Sequence, residues 1–331
     1  MSFNKNEIRI LSGDDVRACL PMAEAIAAVR SAFVQLSSGK AQVPLRSRID
    51  VNERDCALFM PVYLPEQEMI GLKSVTVFPQ NTERGKPAIH ALVQIFDAHD
   101  GSPIAILDGE ALTAIRTGAA SGLATNLLAA KEARTLALFG AGVQGRTQFL
   151  AVNEVRPLET VLLVDRDAHR ARKLADEIRQ SFPALRVEAS PARQAVEAAD
   201  IICTATTSSV PVFRDEWLPP GVHINGIGSF KPDMQEIPAE TVRRAGVFVD
   251  SKQACLKEAG DILIPLKKGL ISEAHIRAEI GQVAAGEAEG RKDPQEITFF
   301  KTVGVGVQDL AAAAVVLRNA EKSGLGQKIR L

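Results

Sequence analysis

Residues 135–165 read TLALFGAGVQGRTQFLAVNEVRPLETVLLVD. An apolar run, TLALF, ends in a glycine turn, and the turn opens a stretch with helical spacing, VQGRTQFLAVNEV. A second apolar run, ETVLLVD, follows and ends on an acid. The glycines fall as Gly140-Ala-Gly142-Val-Gln-Gly145. Gly140 permits the tight turn, Gly142 lets the backbone approach a pyrophosphate, and Gly145 lets helix and strand pack closely. The amides at the helix start, those of Val143 and Gln144, join the positive end of the helix dipole in favouring phosphate oxygens. Asp165 stands 20 residues after Gly145, where a carboxylate would accept hydrogen bonds from an adenosine ribose. Strand, glycine turn, helix, strand and acid in this order predict a Rossmann dinucleotide-binding unit. Asp165 favours NADH, because a 2′-phosphate would be repelled. Arg166 could pair with that phosphate, so NADPH stays open. A plainer role for Asp165 would be to cap the helix that follows.

The same grammar continues downstream. DAHRARKLADEIRQSF reads as a helix, LRVEAS as a short strand, PARQAVEAA as a helix and DIICTAT as a strand. Then come VHINGIG, AGVFVD and a helix after Ser251. Near-continuous apolar strands alternating with amphipathic helices predict a parallel sheet covered on both faces. AAGEAEGRKDPQ, residues 284–295, is polar and reads as a surface loop, and a last helix spans about 306–322. Upstream the pattern differs. LSGDDVRACLPMAEAIAAVRSAFVQLSSGK has apolar residues at helical spacing with Ser12 as its N-cap. Residues 43–107 hold short runs of strand character, and DAHDG between two of them is a hairpin signal. A helix rich in small residues follows from about Gly109 to Ala130. The fold class is α/β: a Rossmann domain beside an α+β unit.

Composition is that of an ordinary globular protein. The chain has 331 residues, 46% apolar and 24% charged, and 39 basic against 40 acidic residues give a net charge of −1. This length suits two domains. The balance excludes a disordered chain, a collagen-like chain and a disulfide scaffold, and gives no electrostatic case for nucleic acid or an anionic membrane. Cys19, Cys56, Cys203 and Cys255 are scattered without C-x-x-C spacing, which argues against zinc and suits a reducing cytoplasm. The N-terminus MSFNKNEIRIL interleaves charges with apolar residues, so no secretory leader is expected, and no run approaches the length of a membrane span. The five histidines show no metal-ligand spacing; no metal is expected. There is no G-x-S-x-G elbow and no P-loop.

Three cations stand in apolar settings: Arg46 in VPLRSR, Lys73 in IGLKSVTVF and Arg116 in LTAIRTGAA. Buried cations need partners. A small carboxylate would serve all three, and arginine can hold it with two parallel bonds. Taken singly, each could equally be an ordinary ion pair or a lysine stem lying along a strand edge.

Several separated stretches together resemble the ornithine cyclodeaminase/mu-crystallin family: GLKSVTVFPQN, VQIFDAHDGSPIAILDGEALTAIRTGAASGLAT, LALFGAGVQGRTQ, ADIICTATTSSVPVF, GIGSFKPDMQEI, FVDSKQACLKEAGD and TFFKTVGVGVQDLAAA. They cover residues 40–315 or so. The resemblance implies a substrate and dimerisation domain from residues 1–118, a Rossmann domain from 119–303, and a C-terminal helix, 304–331, returning to the first. It implies a homodimer. It places Arg46, Lys73 and Arg116 around the substrate α-carboxylate, with Arg48 an alternative to Arg46. It places Thr117, Thr206, Val303 and Gly304 against the nicotinamide cofactor.

One departure bears on the reaction. Cyclodeaminases of the family carry an aspartate two residues before the proline, where this chain has Phe230 in Gly228-Ser229-Phe230-Lys231-Pro232. Phenylalanine cannot transfer protons, so loss of ammonia is disfavoured while reduction of a preformed imine is not. The resemblance therefore implies NADH- or NADPH-dependent reduction of a cyclic imino acid. Δ1-pyrroline-2-carboxylate to L-proline is the first choice and Δ1-piperideine-2-carboxylate to L-pipecolate the second. Lys73 would help supply the proton and Phe230 would lie against the ring. Cyclodeamination, alanine dehydrogenation, and nucleotide binding without turnover are the alternatives.

Overall fold

Buried strands and helices divide the chain into two units in this computed structural model, which describes residues 7–44 and 46–330. One unit is Met1–Arg116 with Val305–Leu331, the other Thr117–Gly304. The leader reading of residues 1–6 lies outside the described residues.

The first unit opens with β1 (Glu7–Leu11) and α1 (Gly13–Cys19). Ser12 caps α1 as its sequence predicts. Its hydroxyl accepts from Asp15 N, while the Asp15 carboxylate accepts from Ser12 N at 2.9 Å, a box that stabilises by about 1 kcal/mol. The single helical stretch expected from Ser12 onward is in fact two. It breaks at Leu20–Pro21, and α2 (Met22–Ser37) leaves at 87°. Pro21 has no amide to donate, and its ring clashes inside a helix, so it stands at the start of α2 instead. Five strands follow: β2 (Ser47–Asp50), β3 (Cys56–Leu64), β4 (Met69–Val77), β5 (Ile89–Asp97) and β6 (Pro103–Asp108). They pair antiparallel in sequence order. DAHDG closes the β5–β6 hairpin, where Asp97 N donates to Ser102 O and Gly101 takes φ +74°. The division between units falls inside α3 (Gly109–Leu128).

The second unit runs β7 (Thr135–Phe139), α4 (Val143–Val155), β8 (Thr160–Val164), α5 (Ala168–Ser181), β9 (Arg186–Ala189), α6 (Ala192–Glu197), β10 (Ile201–Thr204), β11 (His223–Gly226), α7 (Ala239–Arg244), β12 (Gly246–Val249), α8 (Lys252–Glu258), α9 (Gly260–Lys267), β13 (Ile276–Glu279), α10 (Ile280–Ala285) and β14 (Thr298–Lys301). The strands form one parallel sheet in the order β13-β12-β14-β11-β10-β7-β8-β9. Every residue of β10, β11, β12 and β14 is buried, as a sheet covered on both faces requires. The order reverses between β7 and β10, and such a switch point opens a crevice at the carboxyl ends of the strands. The stretch 284–295 is not purely a surface loop. Ala284 and Ala285 close α10, and Arg291 reaches inward to Leu128 O (2.7 Å) and Thr298 Oγ1 (3.1 Å). Arg156 joins it at the end of α3, donating to Thr125 O, Asn126 O, Ala129 O and Ala130 O. Two arginines thus donate to carbonyls in the last turn of that helix and just past its end.

The chain then returns to the first unit through α11 (Gly306–Ser323) and β15 (Gln327–Arg330). The first sheet has the order β15-β1-β6-β5-β4-β3-β2, with β1 parallel to β6. Helix α11 packs on α2 and on β3, β4 and β5. It comes close to β4 because residue 71 is glycine: a Cβ there would lie 2.9 Å from Leu310 Cδ1.

Candidate active site

The second unit holds a cleft of about 610 Å³ at the switch point, within the usual size of a small-molecule site. Gly140, Gly142, Val143, Gln144, Asp165, Arg166 and Thr206 all line it. Gly140 has φ +99°, and a Cβ there would run into Ala205 O. Gly145 lies beneath, where a Cβ would run into Gly140 O. At Gly142 a Cβ would meet nothing nearer than Arg170 Nη2 at 3.9 Å, so the space above this glycine is open. Helix α4 starts there with no side-chain cap. Its first amides and the open glycine fit a pyrophosphate.

Asp165 does not cap α5. That task falls to Asp167, which accepts from His169 N and Arg170 N. The Asp165 carboxylate accepts from Ala141 N (2.8 Å) with one oxygen and from Asp167 N (2.8 Å) with the other. It thereby ties the glycine loop to the end of β8. Arg170, on the first turn of α5, also lines the cleft and was not apparent in the sequence reading. Thr206 is held by Glu236, whose buried carboxylate accepts from Thr206 N, Gly228 N and Thr204 Oγ1. Burial, then Asp261, raises the pKa of Glu236.

Thr117, Val303 and Gly304 do not line this cleft. Thr117 is buried. The amides of Val303 (2.9 Å) and Gly304 (2.8 Å) are spent on Asp250 Oδ2. Those two residues therefore have no N–H to offer a cofactor.

In the first unit, two of the three predicted cations converge on a partner that the sequence reading missed. Lys73 Nζ donates to Thr113 Oγ1 (2.6 Å) and to Asp309 Oδ1 (3.1 Å). Arg116 donates from Nε to the same Asp309 oxygen (3.0 Å) and from Nη1 to Gln308 Oε1 (2.9 Å). Lys73 and Arg116 are each 5% exposed and Asp309 1%. Burial lowers the Lys73 pKa to about 8, with Asp309 opposing the shift and the charges of Arg116 and Arg46 adding to it. Arg46 is half-buried and close enough for its charge to act on Lys73. Arg48, the alternative, is exposed and paired with Asp50. A separate groove of about 520 Å³ in this unit, lined by α2 and α11, contains none of the predicted residues.

Phe230, in the second unit, does not pack in the core. It is 45% exposed, with Lys231 Nζ 5.8 Å from its ring.

The ornithine cyclodeaminase/mu-crystallin family profile matches residues 6–324. A Δ1-pyrroline-2-carboxylate reductase of Bacillus cereus is 40% identical over 322 residues, 97% of this chain and 99% of its own. The structure of the Thermococcus litoralis Δ1-pyrroline-2-carboxylate reductase in complex with NADH and L-proline superposes with TM-score 0.93 at 40% identity, covering 97% of this chain and 100% of that one. An archaeal alanine dehydrogenase dimer with bound NAD gives TM-score 0.92 at 33% identity, covering 98% and 99%. A match that runs almost from end to end, in sequence and in backbone alike, makes this chain a member of the ornithine cyclodeaminase/mu-crystallin family.

Proposed function

We propose that this chain is an NADH-dependent ketimine reductase converting Δ1-pyrroline-2-carboxylate to L-proline, with the six-membered Δ1-piperideine-2-carboxylate as a related substrate. The observation that carries this reading is the buried cation cluster of Lys73 and Arg116. It occurs in a chain 40% identical to reductases of that imino acid. Arg46, Lys73 and Arg116 hold the substrate carboxylate and fix its orientation. Lys73, with a pKa of about 8, is charged at neutral pH yet acidic enough to give a proton to the imine nitrogen. NADH, when bound, supplies the hydride to the imine carbon. The cleft residues Gly140, Gly142, Val143 and Gln144 hold its phosphates, Asp165 its ribose, and Thr206 its nicotinamide half. NADPH is the weaker cofactor. Phe230 offers the substrate ring an apolar surface and no proton-transferring group.

The protein acts as a homodimer. The outer face of its first sheet carries exposed Ile49 (57%), Ile70 (40%) and Leu92 (49%), a surface that suits a second copy. Four free, buried cysteines fit a reducing cytoplasm. Pyruvate with ammonia is the second reading, favoured by the likeness to an alanine dehydrogenase. The test is NADH consumption at its absorbance band with Δ1-pyrroline-2-carboxylate and with pyruvate plus ammonia, beside ammonia release from L-ornithine plus NAD, a redox-neutral reaction that leaves the NADH band unchanged. Fastest turnover on the cyclic imine is expected. Comparable turnover on ornithine would overturn the reading.

A further inference from the structure

Asp309 has no part in the substrate contacts described above, and its surroundings are unusual for a structural acid. Both buried cations converge on one of its oxygens, Oδ1. Its other oxygen, Oδ2, and Nε2 of the adjacent Gln308 have no hydrogen-bond partner among the described residues. An acid placed only to hold helix against sheet would use both oxygens, because an unpaired buried one is costly.

The groups around Lys73 come from every side. Thr113 and Arg116 reach it from α3, Asp309 from α11, and the charge of Arg46 acts from the segment before β2. Asp309 is the acid of this group. Without it, burial and two neighbouring positive charges would all drive the proton off Lys73. With it, three cations still outnumber one acid, so an anionic substrate is attracted. From this geometry we infer that Asp309 is a positioning residue for the reduction: it holds Lys73 in the ammonium form and aims it, through the oxygen it shares with Arg116. The inference rests on Lys73 delivering the proton.

The test uses Asp309→Asn in the full-length protein. Lys73 is followed directly through its Cε resonance in [13C]lysine-labelled protein, assigned with Lys73→Arg, while kcat/KM for Δ1-pyrroline-2-carboxylate and NADH is measured against pH. In wild type the alkaline limb should fall near pH 8, where Lys73 titrates. In Asp309→Asn the Lys73 amine should become at least about tenfold more acidic, with the alkaline limb moving down by the same amount. An unchanged Lys73 titration in the folded variant overturns the inference. A titration that moves while the kinetic limb stays supports Asp309 as the counter-ion and overturns Lys73 as the proton donor, so the two failures are told apart. Should Asp309→Asn not fold, Asp309→Glu carries the test. The longer acid keeps the charge, so the limb should remain while kcat falls about tenfold to a hundredfold through misalignment. A limb displaced in Asp309→Glu, with kcat unchanged, overturns the inference.

Discussion

The dinucleotide cleft presents backbone on an exposed rim, whereas the cation cluster presents side chains sealed from water. Val143, at the start of α4, is 69% exposed; Lys73 and Arg116 are 5% exposed. The cleft takes four of its lining residues, Gly140, Gly142, Val143 and Gln144, from one short loop. The cluster draws on β4, α3 and α11, with the segment before β2 alongside. The difference separates binding from stability. A change at the rim of the cleft removes a ligand contact and little else. A change in the cluster also strands a buried charge, and breaking such a pair costs the fold about 3–5 kcal/mol.

The largest effect that would sharpen this contrast is expected from Lys73→Met. It should lower kcat/KM for the imino acid by about a thousandfold, the combined loss of a carboxylate contact and a proton donor. NADH affinity, followed by fluorescence titration, should hardly change. Full turnover in this variant would remove the cluster from the site. Arg116→Ala should cost less, about tenfold to a hundredfold.

Gly142→Val tests the other side. The added side chain enters open space at an ordinary φ of −92°, so the melting temperature should hold. NADH binding should weaken about a hundredfold or more, near 2.7 kcal/mol. Gly145→Ala should do the reverse and unfold the unit, since its Cβ would strike Gly140 O. If both variants melt alike, the separation of binding from stability fails.

Acid sensitivity should belong to the core of the second unit rather than to either site. His223 is fully buried, with Nδ1 to Thr298 Oγ1 (2.9 Å) and Nε2 to Asn225 Oδ1 (3.2 Å). Burial, with Arg291 second, lowers its pKa to about 3. Its unfolded form takes up a proton below about pH 6.5 while the folded form does not. Stability from this residue is therefore complete above pH 6.5 and lost as pH falls toward 3, at about 1.4 kcal/mol per pH unit. Denaturant titrations from pH 7 to 4 should show a steeper decline in wild type than in His223→Gln. Parallel slopes would exclude His223 as the source.

Smaller effects are expected at two cleft-unit positions. Asp165→Ser should weaken NADH by roughly tenfold, about 1.4 kcal/mol, and shift preference toward NADPH through Arg166 and Arg170. A wild type that already prefers NADPH a hundredfold would contradict the role given to Asp165. Phe230→Asp, at an exposed position, should leave stability within about 0.5 kcal/mol and release no ammonia from L-ornithine in an enzymatic ammonia assay.

Legibility in the sequence follows the same divide. The glycine loop, α4 and Asp165 were readable because a dinucleotide cradle is local: turn, helix start and acid stand at fixed spacing. The β5–β6 hairpin was readable for the same reason. The parallel pairing of β1 with β6 and the antiparallel pairing of β15 with β1 were not, since no local pattern records a long-range partner. Lys73 and Arg116 stood out as charges in apolar runs, but their meeting at Asp309 depends on α11 returning across more than 190 positions. The rule that flagged the cations would have flagged Asp309 too, had it been applied to acids in GVGVQDLAAAA. Applied to TFFKTVG it would also have flagged Lys301, which is paired with Asp261 at 3.2 Å inside the second unit and serves its core.

Gly71 has a consequence for how this sequence can drift. Its missing Cβ leaves room for Leu310, the residue next to Asp309, and it lies two positions before Lys73 on the same face of β4. Alanine at 71 would require the Leu310 side chain to move aside, or residue 310 to become smaller in compensation. The two positions should therefore vary together among descendants of this chain, and an unmatched change at either would shift a carboxylate that must stay within hydrogen-bonding reach of its lysine. Selection on the chemistry should thus be visible as covariation between a glycine and a leucine, neither of which carries any charge.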